Sequence, residues 1–469
     1  MTTSRSLHPN QTSISAPRLT TKRPSIAAHW LGLALCISMP AYANDLLQIY
    51  RLALNADATY ASARSQYLAT QEKLPQARAG LLPTLNLTGS SSFTDGTVQP
   101  RDGRSPSFDR NFNSNTLAIS LSQPLFRWSN WESYEQSKLV LMQSEAALAQ
   151  ARQDLTLKVA QAYFDILSSM DSLDVIAAKK TAITEQLEQA KRNFQVGAAT
   201  ITDQQEAQAR YDLALAEELA AQNDLANKRS ALQQLIGQGV PEKLASLKPV
   251  IDLTPPKPAE PANWIQAAEQ QSLGVMAANA GVAIAKRTIA INRAGHYPNL
   301  DLTGSVARNS QTASTISATG TIINQQVIGI NLTVPLYAGG GTESKVREAV
   351  ALHQKAQDDL LVAKRSAALT TQQAYNGVMS GLAQVRALEA AEKSSLLALD
   401  ANKLGYKVGV RINIDVLNAQ QQVFTTRRDL LKARYSTILS GLSLKAASGN
   451  LQEADLAEVN QLLVKPGAQ

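Results

Sequence analysis

Few side chains in this sequence have the type and spacing that catalysis or metal binding needs. Four histidines and one cysteine are spread over 469 residues. Only His296 and His353 lie beyond the N-terminal leader described below, which is too few for a metal cluster or a catalytic triad. There is no HExxH, no GxSxG and no GxxxxGK. The stretch YAGGGTESKV (337–346) superficially suggests a phosphate cradle, but it lacks the third-glycine spacing and any βαβ context. Its glycines read better as a bend from strand to helix. No enzyme, metal or cofactor is predicted.

Charge narrows the classes further. The formal net charge is +7, yet the first 43 residues carry Arg5, Arg18, Lys22 and Arg23 and no acid. An apolar run from Ile26 to Ile37 and then Ala41-Tyr42-Ala43 follow, the pattern of a signal peptide over residues 1–43 with cleavage before Asn44. The remainder holds 41 basic and 38 acidic residues and no run of either sign, so the footprint of a nucleic-acid binder is missing. Cys36 falls inside the leader. A rival reading makes it the acylated cysteine of a lipid-anchored protein, although Leu33-Ala34-Leu35 precedes it where a small residue is expected next to the cysteine. No later segment has 18 uninterrupted apolar residues, so no transmembrane helix is predicted.

The remaining candidates sit in two similar segments, FQVGAATITD (194–203) and YKVGVRINID (406–415). Each breaks at Val-Gly, Val196-Gly197 and Val408-Gly409, and each carries an acid just inside the next predicted helix, Asp203 and Asp415. An acid suits that place because of the helix dipole. On residue chemistry alone Asp415 is a solvated helix-start acid, and Arg411 with Asp203 an incidental surface pair.

These segments belong to a larger duplication. RAGLLPTLNLTGS (78–90) returns as RAGHYPNLDLTGS (293–305), and LAISLSQPLF (117–126) as IGINLTVPLY (328–337). The chain divides into two similar halves, 44–240 and 262–450, joined by a proline-rich linker at 241–261 and followed by a segment at 451–469. In each half a helical stretch of about 35 residues (45–80 and 262–295) precedes two strand-like runs. Leu85 and Leu87, then Leu117, Ile119 and Leu121, alternate with polar residues, as do Leu300, Leu302 and Val306, then Ile328, Ile330, Leu332 and Val334. Polar loops are predicted at 95–113 and 312–325. Long proline-free stretches at 127–196 and 339–408, rich in strong helix formers, predict helices of roughly 105 Å. Helices of about 37 residues return at 200–236 and 412–448. The strands therefore lie at one end and the Val-Gly turns at the other. Four strands with one apolar face cannot close a membrane barrel, which needs about eight. Oligomerisation would solve this, with eight strands from two chains or twelve from three. Phe126, Trp128 and Trp131 follow the second strand, where either an interfacial aromatic girdle or ordinary junction packing would place them.

On FQVGAATITDQQEAQARYD (194–212), YKVGVRINIDVLNAQ (406–420), LLPTLNLTGS and VPLYAGGG, the chain resembles the TolC family of outer-membrane channel-tunnels, from about Asn44 to Pro466. The resemblance implies a mixed α/β membrane protein with two internal repeats. It would be a homotrimer whose twelve-stranded β-barrel, four strands per chain, stands in the outer membrane lipid. That barrel would continue into a long periplasmic α-helical barrel with a small equatorial region. It implies an exit duct of a tripartite system without chemistry of its own, carrying proteins (type I secretion) or small toxic molecules (multidrug efflux). A periplasmic adaptor and an inner-membrane pump of ABC or RND type would dock at the tip, near 190–205 and 402–417. By position, Thr202, Asp203, Tyr406 and Arg411 match the closing network at the tip, and Asp415 matches one acidic ring of the pore constriction. The second acid of the family falls on Asn418, a departure that predicts weaker block by trivalent cations. The alternatives are a lipid-anchored efflux duct and a non-porous periplasmic coiled-coil scaffold.

Overall fold

The computed structural model describes residues 45–101 and 104–464. The leader and Cys36 lie outside the described residues. Three short helices open the described chain, α1 (Leu46–Ala56), α2 (Ala58–Gln71) and α3 (Lys73–Ala79). The sequence predicts one helical stretch here; Asp57 divides it. Its N–H still donates to the Ala53 carbonyl at the end of α1, while its carboxylate accepts from the Tyr60 N–H at the start of α2. One extended residue thus caps both helices.

Strands β1 (Thr84–Val98) and β2 (Phe108–Phe126) follow, then helix α4 (Trp128–Gln195) of 68 residues, about 100 Å long, and α5 (Ile201–Ile236). After the linker come α6 (Pro261–Gln271), α7 (Leu273–Arg293), β4 (Asn299–Gln311), β5 (Thr321–Thr333), α8 (Gly341–Lys407) of 67 residues and α9 (Asn413–Ala447). The break at Ser272 between α6 and α7 matches that at Asp57, again at an extended residue.

The strands run further than their apolar residues suggest. The predicted loops at 95–113 and 312–325 shrink to about 99–107 and 312–320, because polar residues such as Asn111, Asn113 and Asn115 still pair across the ladder. Backbone hydrogen bonding, blind to side-chain polarity, carries the hairpins beyond the apolar band. The sheet order is β1-β2-β4-β5, antiparallel throughout. Direct pairing puts Leu85, Leu121, Gly304 and Ile328 in one row, and Leu87, Ile119, Val306 and Gln326 in the next row on that face. The opposite face carries Thr88, Ser120, Ser305 and Thr303. At the helix-proximal end Pro124 lacks an N–H, and the β2–β4 register shifts between it and Phe126. There Arg127 donates both fork nitrogens to Asp301, Nε and Nη2 each at 2.8 Å, tying the two hairpins together.

The main core lies where α1, α4, α5, α9 and the C-terminal segment meet. Tyr50, Tyr163, Phe164, Leu232, Ile236, Tyr435 and Leu456 are fully or almost fully buried there. Within the linker, β3 (Ser246–Leu247) pairs with β6 (Leu463–Val464), which follows helix α10 (Glu453–Asn460). The Tyr163 hydroxyl donates to the Ala245 carbonyl at 2.9 Å, which holds the linker to α4. Prolines bar helix, but they leave intervening residues free to pair.

Where α4 crosses α9, the Tyr435 hydroxyl donates to Asp171 at 2.5 Å. Burial pushes the Asp171 carboxyl above the ordinary value of 3.8; the Tyr435 hydrogen bond and Arg427 oppose this, and Asp174 adds to it. The protonated form is therefore favoured by folding. Its stability contribution is fully present below the ordinary carboxylate value and is lost as pH rises through the raised one. Asp171→Asn keeps an acceptor for Tyr435 without the charge. The variant is expected to resist thermal unfolding better at pH 7, with a flatter dependence between pH 4 and 7; an unchanged slope would refute the assignment.

Candidate functional site at the helical tips

Two helix-to-helix turns stand at the ends of α4 and α8 away from the sheet. Both end the same way. The Ala198 N–H reaches the Asn193 carbonyl at 2.7 Å, and the Gly197 N–H the Phe194 carbonyl at 3.0 Å. In the other turn the Val410 N–H reaches Gly405 at 2.9 Å, and the Gly409 N–H reaches Tyr406 at 3.2 Å. Gly197 (φ 73°) and Gly409 (φ 80°) take the left-handed conformation this closure needs, which a side chain would strain.

The helices that leave the turns start differently. Thr200 and Asp203 form a reciprocal cap on α5: the Thr200 hydroxyl accepts from the Asp203 N–H at 3.2 Å, and the Asp203 carboxylate accepts from the Thr200 N–H at 2.9 Å and its hydroxyl at 2.7 Å. Helix α9 begins at Asn413, and the residue before it, Ile412, has no acceptor and gives no side-chain cap. The Asp415 carboxylate in its first turn meets Arg411 instead, at 3.7 Å. Position three of the helix is thus a capping residue in one tip and an ion-pair partner in the other.

Of the four positions matched to a closing network, the chain does not bring Arg411 to Asp203. Asp203 is held by Thr200, Arg411 stands by Asp415, and Thr202 is exposed beside the cap that Thr200 forms. Tyr406 accepts from the Asn193 side chain at 3.2 Å, the one bond of the set that joins the two turns. Asn418 accepts from Arg210 at 3.1 Å, linking α5 to α9. The Gln186 amide donates to Asn413, linking α4 to α9. Thr200, Asn193, Arg210, Gln186 and Asn413 escape sequence reasoning. Only the pair Thr200 and Asp203, at capping-box spacing, carried a local signal. The others depend on which helices lie side by side.

The tips also expose apolar side chains. Val196 is 77 % exposed, Val408 67 % and Val410 76 %. At the other end Phe126 stacks on Trp128 with ring centroids 6.4 Å apart, and Trp131 lies 6.3 Å from Tyr134. These aromatics bracket the Arg127–Asp301 pair at the sheet–helix junction. Among the described residues no helix is long and apolar enough to cross a membrane, and no group of His, Cys, Asp or Glu is placed to hold a metal ion.

A four-stranded antiparallel sheet with one apolar face, borne on helices of about 100 Å that end in narrow turns, suits a membrane duct protein. The family model described as "Outer membrane efflux protein" matches residues 49–238 and 264–450, and the chain belongs to that family. It is 34 % identical to the outer membrane protein TolC of Vibrio cholerae serotype O1, over 90 % of this chain and 95 % of that one. It is 30 % identical to the alkaline protease secretion protein AprF of Pseudomonas aeruginosa, over 91 % and 89 %. Among solved structures, the Campylobacter jejuni CmeC outer membrane channel has the same fold, with a TM-score of 0.75 at 18 % identity over 90 % of each chain. The protein is an outer-membrane exit duct.

Proposed function

We propose that three copies of this chain form one duct, each giving four strands to a twelve-stranded barrel in the outer membrane and its long helices to a periplasmic tunnel. The observation that carries this is the sheet. Its apolar face is exposed and its edge strands β1 and β5 each lack a second partner strand among the described residues. In lipid an open edge leaves backbone groups unsatisfied, and closure with neighbouring copies removes the edge. The halves 44–240 and 262–450 then act as two structural repeats, so three chains wall the tunnel with six similar units. The linker and the segment after 450 form the equatorial region, and Phe126, Trp128 and Trp131 lie at the periplasmic membrane interface.

The tips close the duct at rest. Tyr406, Asp203, Thr202 and Arg411 form the closing contacts within and between copies, Asp415 forms an acidic ring in the constriction, and Asn418 forms an amide ring beside it. The exposed valines at the turns receive a periplasmic adaptor, which joins an inner-membrane pump of ABC or RND type. Likeness to a secretion protein for alkaline protease and to efflux channels supports protein export and drug efflux as the two cargo classes. The test is planar-bilayer conductance of the purified protein. Small cation-selective steps are expected; a folded protein that is monomeric in detergent and gives no steps would overturn the reading.

A further inference from the structure

We propose that the outward face of β4 carries a binding site for a phosphate-bearing glycolipid of the outer leaflet, with Arg308 as the phosphate ligand. The proposal rests on the barrel reading above, which turns the apolar face to lipid and the hairpin ends outward. On that face the direct pairing sequence is Gly89, Leu117, Arg308 and Asn324. One row nearer the helices lie Leu87, Ile119, Val306 and Gln326, and one row beyond lie Ser91, Asn115, Ser310 and Ile322. Arg308 therefore stands where the apolar band gives way to amides and hydroxyls, at the depth of lipid headgroups.

Among the described residues of the four strands, Arg308 is the only cation on this face; Arg110, the other strand cation, pairs with Gly96 in the opposite parity. It is exposed and has neither an ion pair nor a hydrogen bond among the described residues. An unpaired guanidinium at a membrane boundary seeks an anion, and its fork suits phosphate oxygens. Asn324 beside it and Asn115 diagonally across supply amide donors.

A second observation points to the acyl part. Gly304 faces outward in the row of Leu85, Leu121 and Ile328, where the sheet carries a shallow depression. That depression, of about 610 Å³, is lined by Leu85, Leu121, Gly304, Val306 and Ile328 among others. It adjoins a second of about 320 Å³ that contains Arg308, and Val306 and Ile119 line both. An apolar trough that leads to a lone cation has the polarity of an acylated, phosphorylated lipid. β4 lies inside the sheet, so one chain completes the site without a neighbour. The outward end of the strands selects the outer-leaflet glycolipid over inner-leaflet phospholipids.

The test is native mass spectrometry of the full mature protein with bis-phosphorylated lipid A, beside its dephosphorylated form and phosphatidylglycerol. The same preparations are inserted in phosphatidylcholine bilayers to read conductance. Lipid A adducts are expected to weaken about tenfold in Arg308→Gln and on dephosphorylation, to persist in Arg308→Lys, and to be favoured over phosphatidylglycerol, with conductance unchanged in all variants. Normal conductance with equal lipid A binding by wild type and Arg308→Gln would overturn the site and leave the duct standing. Equal binding of phosphatidylglycerol would overturn the choice of glycolipid. Absence of both conductance and adducts would overturn the barrel reading, and the site with it.

Discussion

Arg411→Ser is expected to raise both the open fraction and the cation selectivity of the duct. An exposed ion pair contributes about 0–1 kcal/mol, and the Arg411–Asp415 pair is half in water, with side chains 60 % and 33 % exposed. One such pair would scarcely hold a gate. In the proposed trimer, three copies acting on one closed–open equilibrium would add to about 0–3 kcal/mol, a shift of up to about 150-fold. The second effect follows from the pairing itself. Arg411 offsets part of the Asp415 charge in the chain as it stands, so its removal unmasks the acid. Two readouts then separate two locks. If Arg411 acts through Asp415, conductance and selectivity rise together. If Arg411 instead holds Asp203 of a neighbouring copy, conductance rises alone. A variant unchanged in both removes Arg411 from the gate. Raising salt from 0.1 to 1 M shrinks the screening length from about 10 to 3 Å and should narrow the difference between wild type and variant.

Asp415→Ala is expected to reduce cation selectivity, and Asn418→Asp to strengthen block by trivalent cations by on the order of tenfold or more. One carboxylate ring draws cations into a constriction; a second ring nearby raises the attraction for a trivalent ion three times as steeply as for a monovalent one. In the proposed constriction the second ring would be an amide, that of Asn418, to which Arg210 donates at 3.1 Å. Asn418→Asp would place its new carboxylate against that guanidinium. Adding Arg210→Gln should therefore increase the block further. Single-channel recordings with a trivalent lanthanide give all three comparisons. If Asp415→Ala leaves selectivity and block unchanged, the constriction lies elsewhere.

Much of this protein was legible because the relevant signals are local or periodic. The absence of proline and the abundance of Ala, Leu, Gln and Glu across 127–196 specify a helix, and the structure forms one over Trp128–Gln195. Alternation of Leu117, Ile119 and Leu121 with Ala118, Ser120 and Ser122 specifies a two-faced strand. Val-Gly marks the end of each long helix because glycine alone takes the left-handed turn without strain. The site was legible to a lesser degree. Asp415, Arg411 and Asp203 could be singled out by position, yet what each touches could not. Whether an acid at the third position of a helix caps it or meets an arginine depends on the residue three places earlier, Thr200 in one tip and Ile412 in the other.

By itself the sequence determined the order of the main elements, the span of the long helices, the two-faced strands, the turn positions and the scarcity of catalytic side chains. Each of these depends on backbone propensity or on spacing along one chain. The tertiary structure alone decided that β2 pairs with β4, that the linker pairs with Leu463 and Val464, and that Gln186 meets Asn413. It also decided that Arg411 stands by Asp415 rather than Asp203. Those contacts join residues up to hundreds of positions apart, and their partners are chosen by which surfaces burial brings together. No period in the sequence encodes that choice.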